Sequence, residues 1–382
     1  MSKSINVPKL RFKEFSENYK KYKFEDIFSF STGKNIKQNE ASPNFDIPCV
    51  RYGELYHMYS EVISKVINKT NLDKSELTFS QGNEILLPSA GEDPLDIGSA
   101  SALKIANVAI GRTINILRPL SDNTYLPEYV SYLINTKLKK KISTLAKGVS
   151  ISNVYNSDLK TLTLSLPSKQ EQEKIALFLT SVDTKIEQLT KKEELLQQYK
   201  KGVMQKIFNQ EIRFKDDDGS EFCEWEEYTL NDFLIPTLRE VEKPKENYLA
   251  IGVRSHCKGT FKKPDSEPDK IAMDKLYIVK ENDLIVNITF AWESAIAIVK
   301  KEDEGGLVSH RFPTYTFDEK ISNSKYFQYV IIQKRFRTML DLISPGGAGR
   351  NRVMSKKDFL TLKWEFPCIE EQNKIANFLS LI

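Results

Sequence analysis

The chain contains one stretch of sequence twice, 200 residues apart. Residues 166–179 read LPSKQEQEKIALFL and residues 366–379 read FPCIEEQNKIANFL, with eight identical positions. The openings of the two halves also match, because Arg-Phe-Lys occurs at residues 11–13 and again at 213–215. Two halves that begin and end alike predict two copies of one domain in this 382-residue chain.

The repeat divides the chain into four segments. We predict a first domain over residues 1–167, a long helix over 168–210, a second domain over 211–365 and the start of a second long helix over 366–382. Apolar segments of strand length at matching places favour a mixed α/β domain in each half, within the α+β class. These segments are residues 83–87 and 105–116 in the first half, and 282–286 and 295–299 in the second.

The loops after the matching strands share almost nothing. Residues 88–98 read PSAGEDPLDIG, whereas residues 287–293 read NITFAWE. A common scaffold with different loops is typical of one fold directed at two targets. We therefore expect the two domains to recognise different things.

The segment after Pro167 has the pattern of a long helix that packs against another helix. Ser168 and Glu171 match a capping box at its start, and Cys368 replaces the serine in the second copy. Apolar residues alternate in steps of four and three, as in a coiled-coil seam; the alternative is a helix that packs on its own domain. The seam comprises Ile175, Leu179, Val182, Ile186, Leu189, Leu196, Val203 and Ile207 in the first copy, and Ile375, Leu379 and Ile382 in the second.

The second helix covers only about the first third of the matching first helix. We therefore expect either a truncated second helix or another subunit that covers the remaining seam. An apolar seam without a covering surface favours association with another chain.

The composition indicates the cellular compartment of the chain and limits how strongly it could bind DNA without partners. Residues 1–10 lack the apolar core of a signal peptide, and no apolar run approaches the roughly 20 residues that cross a bilayer, so we predict a cytoplasmic protein without membrane contact. The net charge of +4 is small for a protein that holds DNA alone by neutralising phosphates. If the chain binds DNA, we expect partner subunits to supply part of the surface that holds the duplex.

The sequence lacks the motifs of a catalytic chain. There is no Asn-Pro-Pro or Asp-Pro-Pro of an adenine methyltransferase and no complete phosphate-binding loop of a nucleotide-hydrolysing motor. The three histidines have no metal-binding spacing, and the four cysteines, at positions 49, 223, 257 and 368, include no C-x-x-C pair. We predict no catalytic residue, metal, cofactor or disulfide framework in this chain.

The repeated Pro-x-x-x-Glu-Gln-x-Lys-Ile-Ala-x-Phe-Leu start of a helix, the Arg-Phe-Lys opening and the two divergent domains together resemble the specificity subunit of type I restriction-modification enzymes. The resemblance implies that each domain recognises one half of a split DNA site and that the long helices pair as an antiparallel coiled coil. It further implies docking to two methyltransferase subunits and to motor nuclease subunits, which would bind S-adenosylmethionine, ATP and Mg²⁺.

Polar and basic loop residues are the candidates for contact with double-stranded DNA. Residues 147–153 and 347–352 precede the last strand of each half, and arginine and asparagine side chains can read guanine and adenine edges. The alternatives are contact with phosphates only, or plain surface charge. The candidates are Arg51, Tyr52, Lys147, Ser150, Ser152, Asn153, Arg254, His256, Arg311, Arg350, Asn351 and Arg352.

Two functions of different classes remain open on the sequence. The first is a DNA-sequence reader without catalysis that directs adenine methylation and ATP-dependent cleavage by partner subunits. The second is a protein-binding scaffold, or an inactive truncated subunit without selective DNA binding. Tyr129, Tyr132, Tyr326 and Tyr329 recur at helical spacing and are predicted to be core residues under either hypothesis.

Overall fold

The structure, a computed structural model, describes residues 8–121, 124–148, 150–344, 346 and 352–382. The chain divides into two compact units, Met1–Lys191 and Lys192–Ile382. They are called the first unit and the second unit below. The boundary between them falls inside one continuous helix, Lys169–Phe208.

The first unit is a mixed α/β structure. Its strands are β1 (Lys20–Lys23), β2 (Phe28–Thr32), β3 (Ile47–Val50), β4 (Val62–Ile63), β5 (Lys69–Thr70), β6 (Phe79–Gln81), β7 (Glu84–Pro88), β8 (Ala90–Gly91), β9 (Ser101–Leu103), β10 (Ala106–Ile110), β11 (Ile114–Pro119), β12 (Ser152–Asn153) and β13 (Thr163–Leu166). Its helices are α1 (Phe24–Ile27), α2 (Glu54–His57), α3 (Pro94–Ile97), α4 (Pro127–Leu133), α5 (Lys139–Ser143), α6 (Asn156–Lys160) and the start of α7 (Lys169–Phe208).

Two main sheets order the first unit. One has the strand order β2-β11-β7-β9-β4 and the other β5-β3-β10-β6. Strand β7 is buried along its whole length. Successive side chains of a strand point to opposite faces, and accordingly Ile85 and Leu87 pack in one core cluster while Leu86 packs in another. A strand buried on both faces explains the unbroken apolar run in the sequence.

The second unit repeats this arrangement. Its strands are β14 (Glu226–Thr229), β15 (Leu234–Pro236), β16 (Glu240–Glu242), β17 (Tyr248–Val253), β18 (Thr260–Ser266), β19 (Lys275–Ile278), β20 (Leu284–Val286), β21 (Ile296–Ile298), β22 (Leu307–Val308), β23 (Thr314–Phe317) and β24 (Lys363–Phe366). Its further helices are α8 (Ser324–Val330), α9 (Lys334–Leu342), α10 (Lys356–Leu360) and α11 (Ile369–Leu381). The main sheets have the orders β15-β23-β20-β21 and β16-β19-β22-β17-β18.

Strand β20 corresponds to β7 and is also buried along its whole length. Leu284 and Val286 pack in one core cluster and Ile285 packs in another. The predicted strand segments correspond to β7, to β10 and β11, to β20 and to β21, so these strand predictions and the mixed α/β fold are confirmed. The four tyrosines predicted to lie in the core are buried: Tyr129, Tyr132, Tyr326 and Tyr329.

The start of each repeated helix is held by the same contacts. Strand β1 pairs antiparallel with β13, and β14 pairs likewise with β24, so the first strand of each unit lies beside the strand that leads into the helix. The Arg11 guanidinium binds both carboxylate oxygens of Glu171, at 2.7 and 2.6 Å. Arg213 binds Glu371 in the same way, at 3.2 and 2.9 Å.

The capping box predicted at Ser168 is only half formed. The Ser168 Oγ accepts a hydrogen bond from the Glu171 amide at 3.4 Å, but the Glu171 carboxylate turns to Arg11 instead of the cap. The Tyr19 hydroxyl also donates to Glu171, at 3.3 Å. Burial, and then the Glu171 carboxylate, raise the pKa of Tyr19 to about 12. An ion pair with a fixed guanidinium outweighs the local cap because both oxygens are satisfied at once.

Candidate nucleic-acid interface

A loop of the second unit, residues 287–294, joins β20 to β21 and is called the central loop below. It contains one short 3-10 turn, Ala291–Glu293, which ends at Ser294 with a left-handed backbone (φ 60°). The Asn287 Oδ1 accepts a hydrogen bond from the Thr289 amide at 3.1 Å. Three other parts of the second unit that carry predicted DNA contacts meet this loop.

Arg311 contacts the central loop through its backbone and its side chain. Its carbonyl oxygen accepts a hydrogen bond from the Ile288 amide at 3.1 Å. Its Nη1 donates to the Thr289 Oγ1 at 3.3 Å. The residue is exposed and has no carboxylate partner among its described contacts, so most of its donors face solvent.

Arg352 lies on the opposite part of the central loop. Its guanidinium carbon is 5.2 Å from the centre of the Trp292 ring, and its Nη2 forms an ion pair with Asp341 at 2.7 Å. The arginine is therefore fixed in position but partly neutralised. Its predicted neighbours Arg350 and Asn351 lie outside the described residues.

The loop after β17 joins the central loop through Glu293. The His256 amide donates to the Glu293 carbonyl oxygen at 2.7 Å, and the Ser255 hydroxyl donates to the Glu293 carboxylate at 2.6 Å. His256 is exposed and has a left-handed backbone (φ 61°). Arg254 points elsewhere, because it donates to the Thr260 carbonyl oxygen and covers the Phe261 ring.

Arg337 is a further basic residue at the central loop that the sequence analysis missed. It lies on α9, and its Nε donates to the Ser294 Oγ at 3.2 Å. The same helix carries Lys334 and Arg335, both exposed. The signal was present in the sequence as the run Lys-Arg-Phe-Arg at residues 334–337, which precedes the glycine-rich segment that begins at residue 346. Such a run on an exposed helix face is a source of phosphate contacts.

The first unit has its own loop pair at the corresponding place. Strand β12 pairs with β8, so that Ser152 lies opposite Gly91 and Asn153 opposite Ala90. Residues 152–153 therefore contact the 88–98 loop. In the second unit the Met354 amide likewise donates to the Ile288 carbonyl oxygen of the central loop, at 2.9 Å. In each unit the loop that differs between the halves is thus contacted by described residues at or beside the predicted contacts: Ser152 and Asn153 in the first unit, Arg352 and Met354 in the second.

The predicted DNA-contact residues near this loop differ in solvent exposure. Ser150 is exposed, and Asn153 is half-buried with its amide nitrogen bound to the Ile151 carbonyl oxygen at 3.2 Å. Ser152 is buried, so it serves the packing of the hairpin and is unavailable for reading bases. Lys147 is exposed but pairs with Asp158 at 2.8 Å, and this hydrogen bond holds the pKa of Asp158 below its usual range.

Arg51 and Tyr52 lie just before α2, which begins at Glu54. The Arg51 Nε binds the buried Glu54 carboxylate at 2.8 Å, which gives Arg51 a structural role and neutralises its charge. Tyr52 is exposed and lies near Tyr56, with ring centres 6.4 Å apart. Of these two predicted contacts only Tyr52 is free to meet a ligand.

A lysine run precedes the hairpin of the first unit in the same way that α9 precedes Arg352. Lys137 is exposed on the π-helical segment Ile134–Leu138 that follows α4, Lys140 and Lys141 are exposed on α5, and Lys139 is half-buried. The sequence analysis did not single out this run. Both units therefore place a basic helical segment next to the loops that vary.

The predicted seam of α7 is exposed in its middle and buried at one end. Val182, Ile186, Leu189 and Leu196 are exposed to between 40% and 56%. Ile175, Leu179 and Val203 are half-buried. Ile207, Ile375 and Leu379 are fully buried together in one core cluster of the second unit, so their side chains are not open to a partner subunit. Their part in a coiled-coil seam stays a prediction. Ile382 is half-buried.

The antiparallel pairing of the two long helices stays a prediction.

Among the described residues, no group of three or more His, Cys, Asp and Glu side chains could hold a metal ion. No helix in that part of the chain is long and apolar enough to cross a membrane.

The family described as "Type I restriction modification DNA specificity domain" matches residues 16–197 and 223–382. The two matches cover most of the chain and fall one on each half, and the chain therefore belongs to this family. The resemblance stated on the repeated motifs is confirmed.

Individual relatives agree with this assignment. The chain is 28% identical over 284 residues to the putative type I restriction enzyme MjaX specificity subunit of Methanocaldococcus jannaschii, over 71% of this chain and 64% of that protein. It is 22% identical to the MjaVIII specificity subunit of the same organism, over 84% of this chain and 76% of that protein. The fold is similar to that of the type I restriction-modification S subunit from M. genitalium, with a TM-score of 0.61 at 16% identity, over 98% and 91% of the two chains.

Proposed function

We propose that the chain is a non-catalytic specificity subunit that recognises a bipartite DNA site, with each unit reading one half. One observation carries this proposal: the two units share their helix junction and strand pattern, but present different loops at the corresponding place. Different surfaces on one scaffold suit two half-sites of different sequence.

We assign base recognition in the second unit to the central loop and to the side chains that contact it. The buried Asn287 holds the central loop by accepting a hydrogen bond from the Thr289 amide. Thr289, Arg311 and His256 place hydroxyl, guanidinium and imidazole groups around that loop. Such groups match the donors and acceptors of base edges in the major groove. Arg352 is already held by Asp341, and we assign it to positioning of Trp292 and to phosphate contact.

The basic helical segments supply contact that does not depend on sequence. Lys137, Lys140 and Lys141 in the first unit, and Lys334 and Arg335 in the second, carry exposed charge beside the variable loops. Neutralising phosphates gives affinity and register on the duplex, while the loops give selectivity. Because the net charge of the chain is only +4, the proposal requires further clamping by partner subunits.

The chemistry of the complex belongs to partners under this proposal. Two methyltransferase subunits would bind S-adenosylmethionine and methylate adenine, and motor nuclease subunits would use ATP and Mg²⁺ for cleavage. The exposed middle of α7 is the surface that we assign to them. The proposal places the complex in the cytoplasm, where such an enzyme meets DNA.

Selection of binding sites from a random duplex library tests the proposal. The chain, assembled with its methyltransferase subunits, should select a motif of two fixed blocks around a spacer of fixed length. Arg311→Ala should relax one block and leave the other unchanged. A library without enrichment, from an assembled complex, would favour a protein-binding scaffold instead.

A further inference from the structure

Two cysteines that are about 145 residues apart in sequence meet at the junction of the second unit. Cys223 lies just before β14 and is exposed, and Cys368 is the residue that caps the start of α11. Both are free thiols. The first unit has Ser168 at the place of Cys368, so the pair exists only in the second unit.

Arg213 brings the two segments together. Its Nη2 donates to the Cys223 carbonyl oxygen at 2.6 Å and to the Glu371 carboxylate at 2.9 Å, three residues after Cys368. Lys374 adds a second tie from α11, with its Nζ 5.4 Å from the centre of the Phe222 ring. The backbone next to each cysteine is thus fixed by contacts in which neither thiol takes part.

The two thiols are neighbours, because a side-chain hydrogen bond joins Cys368 to Cys223. Burial, and then the Cys223 thiol beside it, raise the pKa of Cys368. Cys223 is the more exposed of the two sulfurs and therefore meets an oxidant first. No third ligand completes a metal site here, since no such group occurs among the described residues.

We propose that Cys223 and Cys368 form a reversible disulfide when the chain meets a low-molecular-weight disulfide, RSSR. The Cys223 thiolate attacks one sulfur of RSSR, which forms a mixed disulfide and expels RS⁻. The Cys368 thiolate then attacks the Cys223 sulfur, which forms the Cys223–Cys368 bond and expels the second RS⁻. The chain loses two electrons and two protons, and RSSR leaves as two RSH.

The bond would fix the start of α11 to the segment that enters the second unit. It would reinforce the place where Arg213 already binds Glu371. Because the link closes a loop of about 145 residues, it restricts the unfolded chain and stabilises the second unit. This inference does not depend on the proposed function.

Oxidation of the full chain with glutathione disulfide tests the inference. The four thiols titrated in denaturant should fall to two, and peptide mapping should recover one linked pair containing Cys223 and Cys368. The thermal midpoint followed by tryptophan fluorescence should rise by several degrees and return after reduction. An unchanged midpoint in the linked protein would overturn the stabilising role.

Cys368→Ser is the matched control, because serine occupies this place in the first unit. The variant should fold, form no internal link and instead carry glutathione on Cys223. Recovery of Cys223 as a glutathione adduct in the wild-type chain, with Cys368 still a free thiol, would overturn the proposal. So would a link between Cys223 residues of two chains.

Discussion

Arg11 and Glu171 are 160 residues apart in sequence and form an ion pair in which the guanidinium binds both carboxylate oxygens. Arg213 and Glu371 repeat the pair at a separation of 158 residues. Each pair joins the opening of a unit to the first turn of the helix that follows its last strand. The repeated motifs at the two ends of each half are therefore two sides of one contact.

Glu371→Gln should destabilise the second unit by about 3 kcal/mol, because it leaves a partly buried guanidinium without its counter-charge. Urea unfolding followed by tryptophan fluorescence measures this, since Trp225, Trp292 and Trp364 all lie in the second unit. Glu224→Gln is the control: its carboxylate is 90% exposed and 3.5 Å from Arg213, so its loss should leave the transition in place. Equal shifts for both variants would contradict a special role for Glu371.

Arg311→Ala and a double Lys140→Ala, Lys141→Ala variant should affect DNA binding differently. The first should cost about 1–3 kcal/mol at one base position and spare other sequences. The second should weaken binding to all sequences alike and reduce the slope of log affinity against log salt by about one for each lysine that contacts a phosphate. Binding isotherms at several salt concentrations, on cognate and altered duplexes, separate the two effects. An equal loss on every duplex from Arg311→Ala would contradict its assignment to base reading.

Substitutions along the apolar seam should separate core from docking residues. Leu379→Ala should cost about 2–5 kcal/mol of stability, because Leu379 is fully buried. Leu189→Glu should leave the isolated chain as stable as before, since Leu189 is 52% exposed. It should, however, prevent co-purification with the methyltransferase subunits. Normal co-purification of the Leu189→Glu chain would exclude this part of α7 from the interface.

The raised pKa of Tyr19 predicts a pH dependence at the first junction. The folded chain holds this phenol neutral up to about pH 12, whereas the ordinary pKa is 10.0. Between these values the unfolded state has fewer protons bound, so stability falls as pH rises. Tyr19→Phe should lose less stability across this window in urea unfolding followed by circular dichroism. If the free energy of unfolding fell equally with pH in the wild-type chain and in Tyr19→Phe, Tyr19 would not be the source of the pH dependence.

The sequence was sufficient to predict the mixed α/β class and the long helix between the units, because strand and helix patterns are local. The apolar runs that became β7 and β20 and the long helix after Pro167 could be read directly. The partner of a charged side chain is not local. The sequence pattern placed Glu171 in a capping box, but in the folded chain its carboxylate binds Arg11 from a distant segment. The pattern likewise placed Ile207 in a helix seam, but the folded chain buries it in a core.

The candidate site was predicted less completely for the same reason. Arg311, His256 and Arg352 do meet one loop, but Arg51 is bound to Glu54 and Ser152 is buried. Whether a polar side chain faces solvent or a neighbouring carboxylate depends on contacts between distant segments. Arg337 was missed because its role depends on Ser294, which is 43 residues away.

Mapping of methylated adenines in a host that carries this chain with its partner subunits tests the central claim most directly. The account predicts one asymmetric motif made of two blocks and a fixed spacer. Replacement of residues 211–365 by the equivalent domain of another family member should change one block and preserve the other. A motif that changes in both blocks, or in neither, would contradict two independent readers on one scaffold.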